Sequence, residues 1–246
     1  MIALNFSIIQ AGKTKRRSKV VKKNHDAAAE LAFSDKYDQQ HAQQYFEKHD
    51  DGLWRKLSNW RDHQIARKAL KIAGNPSSVL DTPCGTGRFW DVLAEDKHRV
   101  IHVSDYNQTM MDMGMANRPK AITSRVKPFK ASAFELPVAD GFVDSIFCMR
   151  FMHHLGQSAD REKLLKEFHR VTKDTVIISL WVDGNIKAKR RAQLEKKRPA
   201  KEYQNRFVLP TSLVEAEFKA NGFDIVERLD FIKYYHMWRT YVLRKI

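Results

Sequence analysis

Val79-Leu80-Asp81-Thr82-Pro83-Cys84-Gly85-Thr86-Gly87-Arg88-Phe89 sets a short apolar run, closed by an acidic residue, against a turn carrying two glycines. The run reads as a buried strand entering a tight loop and then a helix. Glycine admits backbone angles that other residues avoid, and it lets a ligand approach the main-chain N–H groups at a helix start. Such a loop suits any nucleotide-like cofactor, but spacing argues against two of them. A pyrophosphate fingerprint needs a small residue three positions after Gly87, where Trp90 stands. A triphosphate loop needs Gly-Lys and then Ser or Thr, whereas Gly87 is followed by Arg88 and Phe89.

Outward from this loop, short apolar runs alternate with amphipathic stretches, the pattern of parallel strands joined by crossover helices. Strands are expected at Ser78 to Leu80, Val100 to Val103, Val126 to Lys130, Val143 to Met149 and Thr175 to Leu180. Helices are expected at Arg88 to Glu95, Gln108 to Ala116 and Asp160 to Val171, with Asn107 as the N-cap of the second. Before the loop, Asp35 to Ala73 has helical spacing, with Trp54, Leu57, Trp60, Ile65 and Ala69 as an apolar stripe ended by Gly74-Asn75-Pro76. After the strands, a helix is expected near Ser212 with Glu215 as its capping-box partner and Gly222 as its stop. Two β-rich runs, Phe223 to Ile232 and Tyr235 to Leu243, lie too close together for a parallel crossover and are expected to pair antiparallel.

A chain of 246 residues with 43% hydrophobic content supports one sizeable α/β core and falls short of two catalytic domains. Its formal charge of +15 is concentrated in two segments, Lys13 to Lys23 and Lys187 to Lys201, each contributing +7. Residues 1–34 are expected to be a basic mobile arm and 35–246 a single domain, with N-terminal helices over 35–74 and a basic insert over 184–206. These segments are either solvated faces or footprints for an anionic partner such as a phosphorylated glycolipid, a membrane surface or RNA. Cys84 and Cys148 lack the spacing of a disulfide framework or a zinc site, so a reducing cytoplasm is expected and no metal is. No apolar run approaches the length of a membrane span.

From Ser78 to Leu180, and more weakly to the C-terminus, the motifs resemble in order those of the class I S-adenosylmethionine-dependent methyltransferase family. The resemblance implies a Rossmann-like, doubly wound, mostly parallel seven-stranded sheet with an antiparallel C-terminal strand. Val79 to Gly87 is similar to the first family motif, whose loop backbone holds the methionine part of S-adenosyl-L-methionine. This places Asp81, Pro83, Cys84, Gly85, Thr86 and Gly87 at the cofactor, although Pro83 stands where the family more often has Gly and offers no N–H. Asp105, 18 positions after Gly87, can accept hydrogen bonds from both ribose hydroxyls, the role the family gives this position. Tyr106 would lie against the adenine. Ser132, Ala133 and Phe134 are similar to the family's adenine-side loop, with Ser132 where Asp is common and Phe134 also suited to plain core packing. Met110, Met149 and Arg150 complete the residues the resemblance places around the cofactor.

Cys148 to Leu155 leaves the fourth strand at the edge where open α/β sheets bind ligands. It lacks the Asn-Pro-Pro-Tyr type of sequence that grips a flipped base, which argues against base N-methylation. His153 and His154 are the candidate catalytic bases, needed only if the acceptor must lose a proton. Their alternatives are packing and strand-end capping. Arg61 is a candidate for the cofactor carboxylate if an N-terminal helix closes over the pocket, and otherwise a surface residue. Three readings stay open: a methyltransferase for a small or medium-sized, anionic or glycolipid-like acceptor; an RNA methyltransferase using the basic segments; and a non-catalytic cofactor-binding module.

Overall fold

The computed structural model describes residues 53–196 and 206–246, and within them a seven-stranded sheet. The strands are β1 (Ser78–Asp81), β2 (Val100–Asp105), β3 (Val126–Lys130), β4 (Val143–Cys148), β5 (Thr172–Trp181), β6 (Phe223–Asp230) and β7 (Trp238–Lys245). The helices are α1 (Leu53–Ile72), α2 (Trp90–Ala94), α3 (Gln108–Asn117), α4 (Lys120–Thr123), α5 (Ser158–Val171), α6 (Ile186–Lys196) and α7 (Thr211–Ala220). Strand order is β3-β2-β1-β4-β5-β7-β6, with β1 to β5 parallel and β7 antiparallel to both of its neighbours. The expected mixed sheet and its reversed last strand are therefore present. The expected arm over 1–34, the expected helix before Leu53 and residues 197–205 of the basic insert lie outside the described residues.

Two apolar layers hold the sheet, and the strand period assigns residues to them alternately. Leu80, Ile146, Val176, Ile178, Tyr241 and Leu243 face α5 and α7, where Leu164, Leu165, Phe168, Val214 and Phe218 meet them. Val79, Phe147, Ile177 and Val242 face the other way, onto Ile65, Ala66, Ala69 and Leu70 of α1 and Trp90 and Leu93 of α2. Helices on both faces make the sheet doubly wound. Because β1, β4 and β5 are covered on both sides, each holds consecutive buried apolar residues, Val79-Leu80, Ile146-Phe147-Cys148 and Val176-Ile177-Ile178. Arg161 of α5 and Glu217 of α7, both buried, clasp the two helices through bonds of 2.8 and 2.6 Å.

Several expectations are corrected. The stripe on α1 divides: Ile65 and Ala69 are buried, but Leu57 and Trp60 are exposed. Helix α2 starts at Trp90, since Gly87 is held at φ +69 and the residues before Trp90 form turns. The capping box at Ser212 and Glu215 does not form. The helix begins at Thr211, whose N–H and hydroxyl both donate to Asp183 at 2.9 Å, while Glu215 accepts from Arg228 and Tyr241. A carboxylate distant in sequence has taken the cap, which local spacing cannot reveal. Gly74, at φ +83, and Gly222, at φ +79, end α1 and α7 as expected.

Candidate active site

In this strand order β1 lies between β2 and β4, so the chain crosses to opposite sides on leaving it, and a crevice opens outside the carboxyl ends of β1 and β4. The loop from Val79 to Phe89 lines that crevice. The Thr82 N–H donates to the Phe147 carbonyl (3.0 Å) and the Cys84 N–H to the Ser104 carbonyl (2.9 Å), tying the turn to both neighbouring strands. The Ser104 hydroxyl donates to Thr82 Oγ1 at 2.8 Å. The Thr82-Pro83 peptide is cis. Gly85 is at φ +54 and Gly87 at φ +69, conformations that explain both glycines.

Trp90, which breaks the pyrophosphate fingerprint, is fully buried beneath this loop. A Cβ on Gly87 would come within 2.3 Å of its ring, and one on Gly114 of α3 within 3.0 Å of the ring and 2.9 Å of the Thr86 backbone. Gly114 thus supplies a close helix approach that the sequence reading missed. Its signal was available, a lone glycine inside the methionine-rich run Met110 to Met115.

Asp105 links the loop to β2. Its Oδ2 accepts from the Gly85 N–H and its Oδ1 from the Asn107 N–H, both at 2.8 Å. Asn107 in turn caps α3 by accepting from the Met110 N–H at 3.3 Å. Burial pushes the Asp105 carboxyl up to about 6, against the opposing pull of these two N–H donors. Asp81, buried at the end of β1, is raised well above the usual carboxylate range by its own burial and then by the Asp105 charge. Met110 lies close to Gly85, with its Cε 3.8 Å from where a Cβ would sit. Just after β2, Tyr106 lies beneath Lys130 of β3, and beyond β3 the Ser132 hydroxyl accepts from the Phe134 N–H at 3.2 Å. Ala133 and Phe134 are buried, and the Phe134 ring packs against Phe151.

Across the crevice, Met149 and Arg150 leave β4. Arg150 adopts φ +64, a left-handed conformation costing a non-glycine residue about 1–2 kcal/mol. Its N–H donates to Ser179 Oγ (2.8 Å), its guanidinium pairs with buried Asp62, and the guanidinium lies 4.5 Å from the Trp238 ring centre. Arg88 also pairs with Asp62, at 2.6 Å, so one carboxylate sits between two guanidiniums beside the loop. A narrow cavity, with room for about one water molecule, borders Asp62, Met149, Arg150, Ser179 and Trp238. Arg61, proposed for this region, is turned away: its Nε donates to the Phe231 carbonyl at 3.0 Å. Successive helix residues point about 100° apart. The acidic neighbour Asp62 faces the crevice instead.

Residues 80–180 match the family described as methyltransferase domain. Over that stretch the chain is similar to methyltransferases. A tRNA U34 carboxymethyltransferase of Shewanella piezotolerans is 27% identical over 136 residues, 55% of this chain and 40% of that protein. A probable S-adenosylmethionine-dependent methyltransferase of Mycobacterium tuberculosis is 27% identical over 127 residues, 52% of this chain and 43% of that protein. The chain thus spans less than half the length of these curated relatives. Among solved structures, magnesium protoporphyrin IX methyltransferase of Synechocystis with bound SAH superposes with a TM-score of 0.72 at 13% identity, covering 88% of this chain and 99% of that one. That likeness is one of fold.

Within the candidate site, the two candidate bases differ. His153 is buried among the rings of His154 (4.0 Å between centres), Trp238 (4.7 Å) and Trp181 (4.8 Å). Burial, then the positive charges of His154, Arg206, Arg150 and Arg191, hold its imidazole well below the ordinary value, so it stays neutral and weakly basic. His154, stacked on it, is half-buried. Around the same rings, the Arg191 and Arg206 guanidiniums lie 4.7 and 5.9 Å from Trp181.

Proposed function

We propose that this chain transfers the methyl group of S-adenosyl-L-methionine to a small or medium-sized anionic acceptor, in the cytoplasm, by in-line displacement. The observation that carries the reading is the Asp105 carboxylate. It is fixed by Gly85 and Asn107, which use one acceptor direction on each oxygen. A carboxylate has roughly four, so about two remain for a pair of ribose hydroxyls. The Gly85 turn, clear of side chains except Met110, leaves room for the cofactor to approach the backbone.

When bound, S-adenosyl-L-methionine supplies a sulfonium methyl group. The work of the protein is then alignment and exclusion of water. The loop of Pro83, Cys84, Gly85, Thr86 and Gly87 cradles the methionine portion, Tyr106, Ser132 and Ala133 border the adenine, and Met149 closes the crevice. The cofactor carboxylate is assigned to Arg150, which shares Asp62 with Arg88. This replaces the assignment to Arg61. The acceptor is placed between Arg150, Trp238 and Trp181, where the surrounding guanidiniums favour an oxyanion. His154 takes a proton where the acceptor has one to lose, and His153 orients it. Free, buried Cys84 and Cys148 support a reducing compartment.

A second reading is an RNA acceptor, favoured by the similarity to the Shewanella tRNA enzyme and by the basic residues of α6. Incubation with methyl-labelled cofactor and fractionated cell extract separates the readings. Label in a small-molecule or lipid fraction supports the first and label in RNA the second, while tight cofactor binding with no transfer points to a binding module.

The cofactor reading also carries a pH signature. The ribose contacts favour the ionised Asp105 carboxyl, which titrates at about 6 in the free protein. Affinity is expected to be flat well above that value and to fall below it, by up to about tenfold per pH unit. Calorimetry across that range checks this, and the dependence should disappear in Asp105→Asn.

A further inference from the structure

Eleven large apolar side chains are exposed among the described residues, and seven of them lie on three segments that meet at one corner. The turn between β6 and β7 carries Ile232, Tyr234 and Tyr235, with Tyr234 73% exposed. Its backbone is fastened to the start of α6: the Tyr234 and Tyr235 carbonyls accept from the Ile186 and Lys187 N–H groups at 3.1 and 3.0 Å. Helix α6 adds Ile186 and, two turns on, Leu194. On the opposite flank Arg61 donates to the Phe231 carbonyl, and the exposed Leu57 and Trp60 lie within about one turn before it on α1. Single exposed apolar residues are ordinary, but seven on adjoining segments mark an interaction surface.

Basic residues interleave with them. Lys187 lies 5.5 Å from the Tyr235 ring centre and Lys233 4.9 Å from that of Tyr234, while Lys189 and Arg190 are exposed on α6. Glu195, the acidic residue of α6, is paired with Arg191 at 2.8 Å. The corner also borders the crevice, because Trp238 begins β7 beside Arg150.

We propose that this corner docks on a membrane surface bearing anionic lipid headgroups. Tyrosine and aliphatic side chains enter the interface, and the lysines and Arg190 meet the headgroups. RNA would use the same charges and stack on the tyrosines, but Ile186, Leu194 and Ile232 add nothing to binding a phosphate backbone. No described helix is long and apolar enough to cross a membrane, so the chain would lie on the surface by this corner.

The test floats the full-length protein with vesicles of phosphatidylcholine alone and of phosphatidylcholine mixed with phosphatidylglycerol, at low and raised salt. The wild type is expected on the mixed vesicles, much less on the neutral ones, and less at raised salt. Ile232→Ser combined with Tyr234→Ser should lower the bound fraction on the order of tenfold. Lys189→Glu combined with Arg190→Glu should act similarly on mixed vesicles only. Unchanged thermal unfolding of the variants establishes that they fold, independently of any cofactor. Equal flotation of wild type and both variants would overturn the proposal and assign vesicle binding to other basic residues. Absence of flotation would overturn it as well, and RNA retention lost in the same variants would reassign the surface to RNA.

Discussion

Asp105→Ala is expected to weaken S-adenosyl-L-methionine binding by at least about 100-fold while the unfolding temperature stays within a few degrees of wild type. Hydrogen bonds to a charged acceptor contribute about 1.5–3 kcal/mol each, and two ribose contacts are lost. Losing the carboxylate also frees the Gly85 N–H, so the loop is less well ordered before binding. Stability is spared because the carboxylate itself opposes folding: its burial raises its pKa to about 6, so the folded protein holds that charge at a cost. Calorimetry together with thermal unfolding separates the two effects. Unchanged affinity would remove the ribose assignment.

Gly87→Val is expected to cost the folded state more than about 3 kcal/mol, by contrast, and to leave little folded protein to assay. Two penalties combine. The residue is held at φ +69, and its Cβ would fall 2.3 Å from the ring of fully buried Trp90. That ring is also confined by Gly114 on its far side and has nowhere to retreat. Gly85→Ala serves as the control, since its Cβ meets only Met110 Cε, at 3.8 Å. It should cost about 1–2 kcal/mol from backbone conformation alone. Urea unfolding of the two variants compares them. Similar midpoints would contradict the steric account of Trp90.

The contrast between these glycines shows where the sequence was legible and where it was not. Both were recognisable as turn formers, because a strand, a glycine pair and a helix in succession admit few other geometries. Which of them packs against Trp90 depends on a ring from the next helix and on Gly114, contacts that local spacing does not encode. The parallel strands were readable because Val79, Ile146 and Ile177 are buried on sheet faces that helices cover. Candidate residues could be placed at the sheet edge only where chain position alone brings them there, as with Asp105 at the end of β2 and Arg150 just after β4. Arg61 was a plausible carboxylate ligand by type, but helix phase turned it to Phe231 and brought Asp62 inward. Likewise Glu215 had the spacing of a capping partner, yet Arg228 and Tyr241 claim it and Asp183 caps the helix. His153 was legible as a histidine at the right edge. Its neutral state was not, since that follows from burial beneath Trp181 and Trp238.

The most direct test of the central claim is calorimetric titration of the wild-type protein with S-adenosyl-L-methionine. A crevice built by the Gly85 loop and Asp105 predicts saturable binding at one site per chain, lost to the extent given above in Asp105→Ala. No saturable heat at any cofactor concentration, or wild-type affinity in that variant, would contradict it.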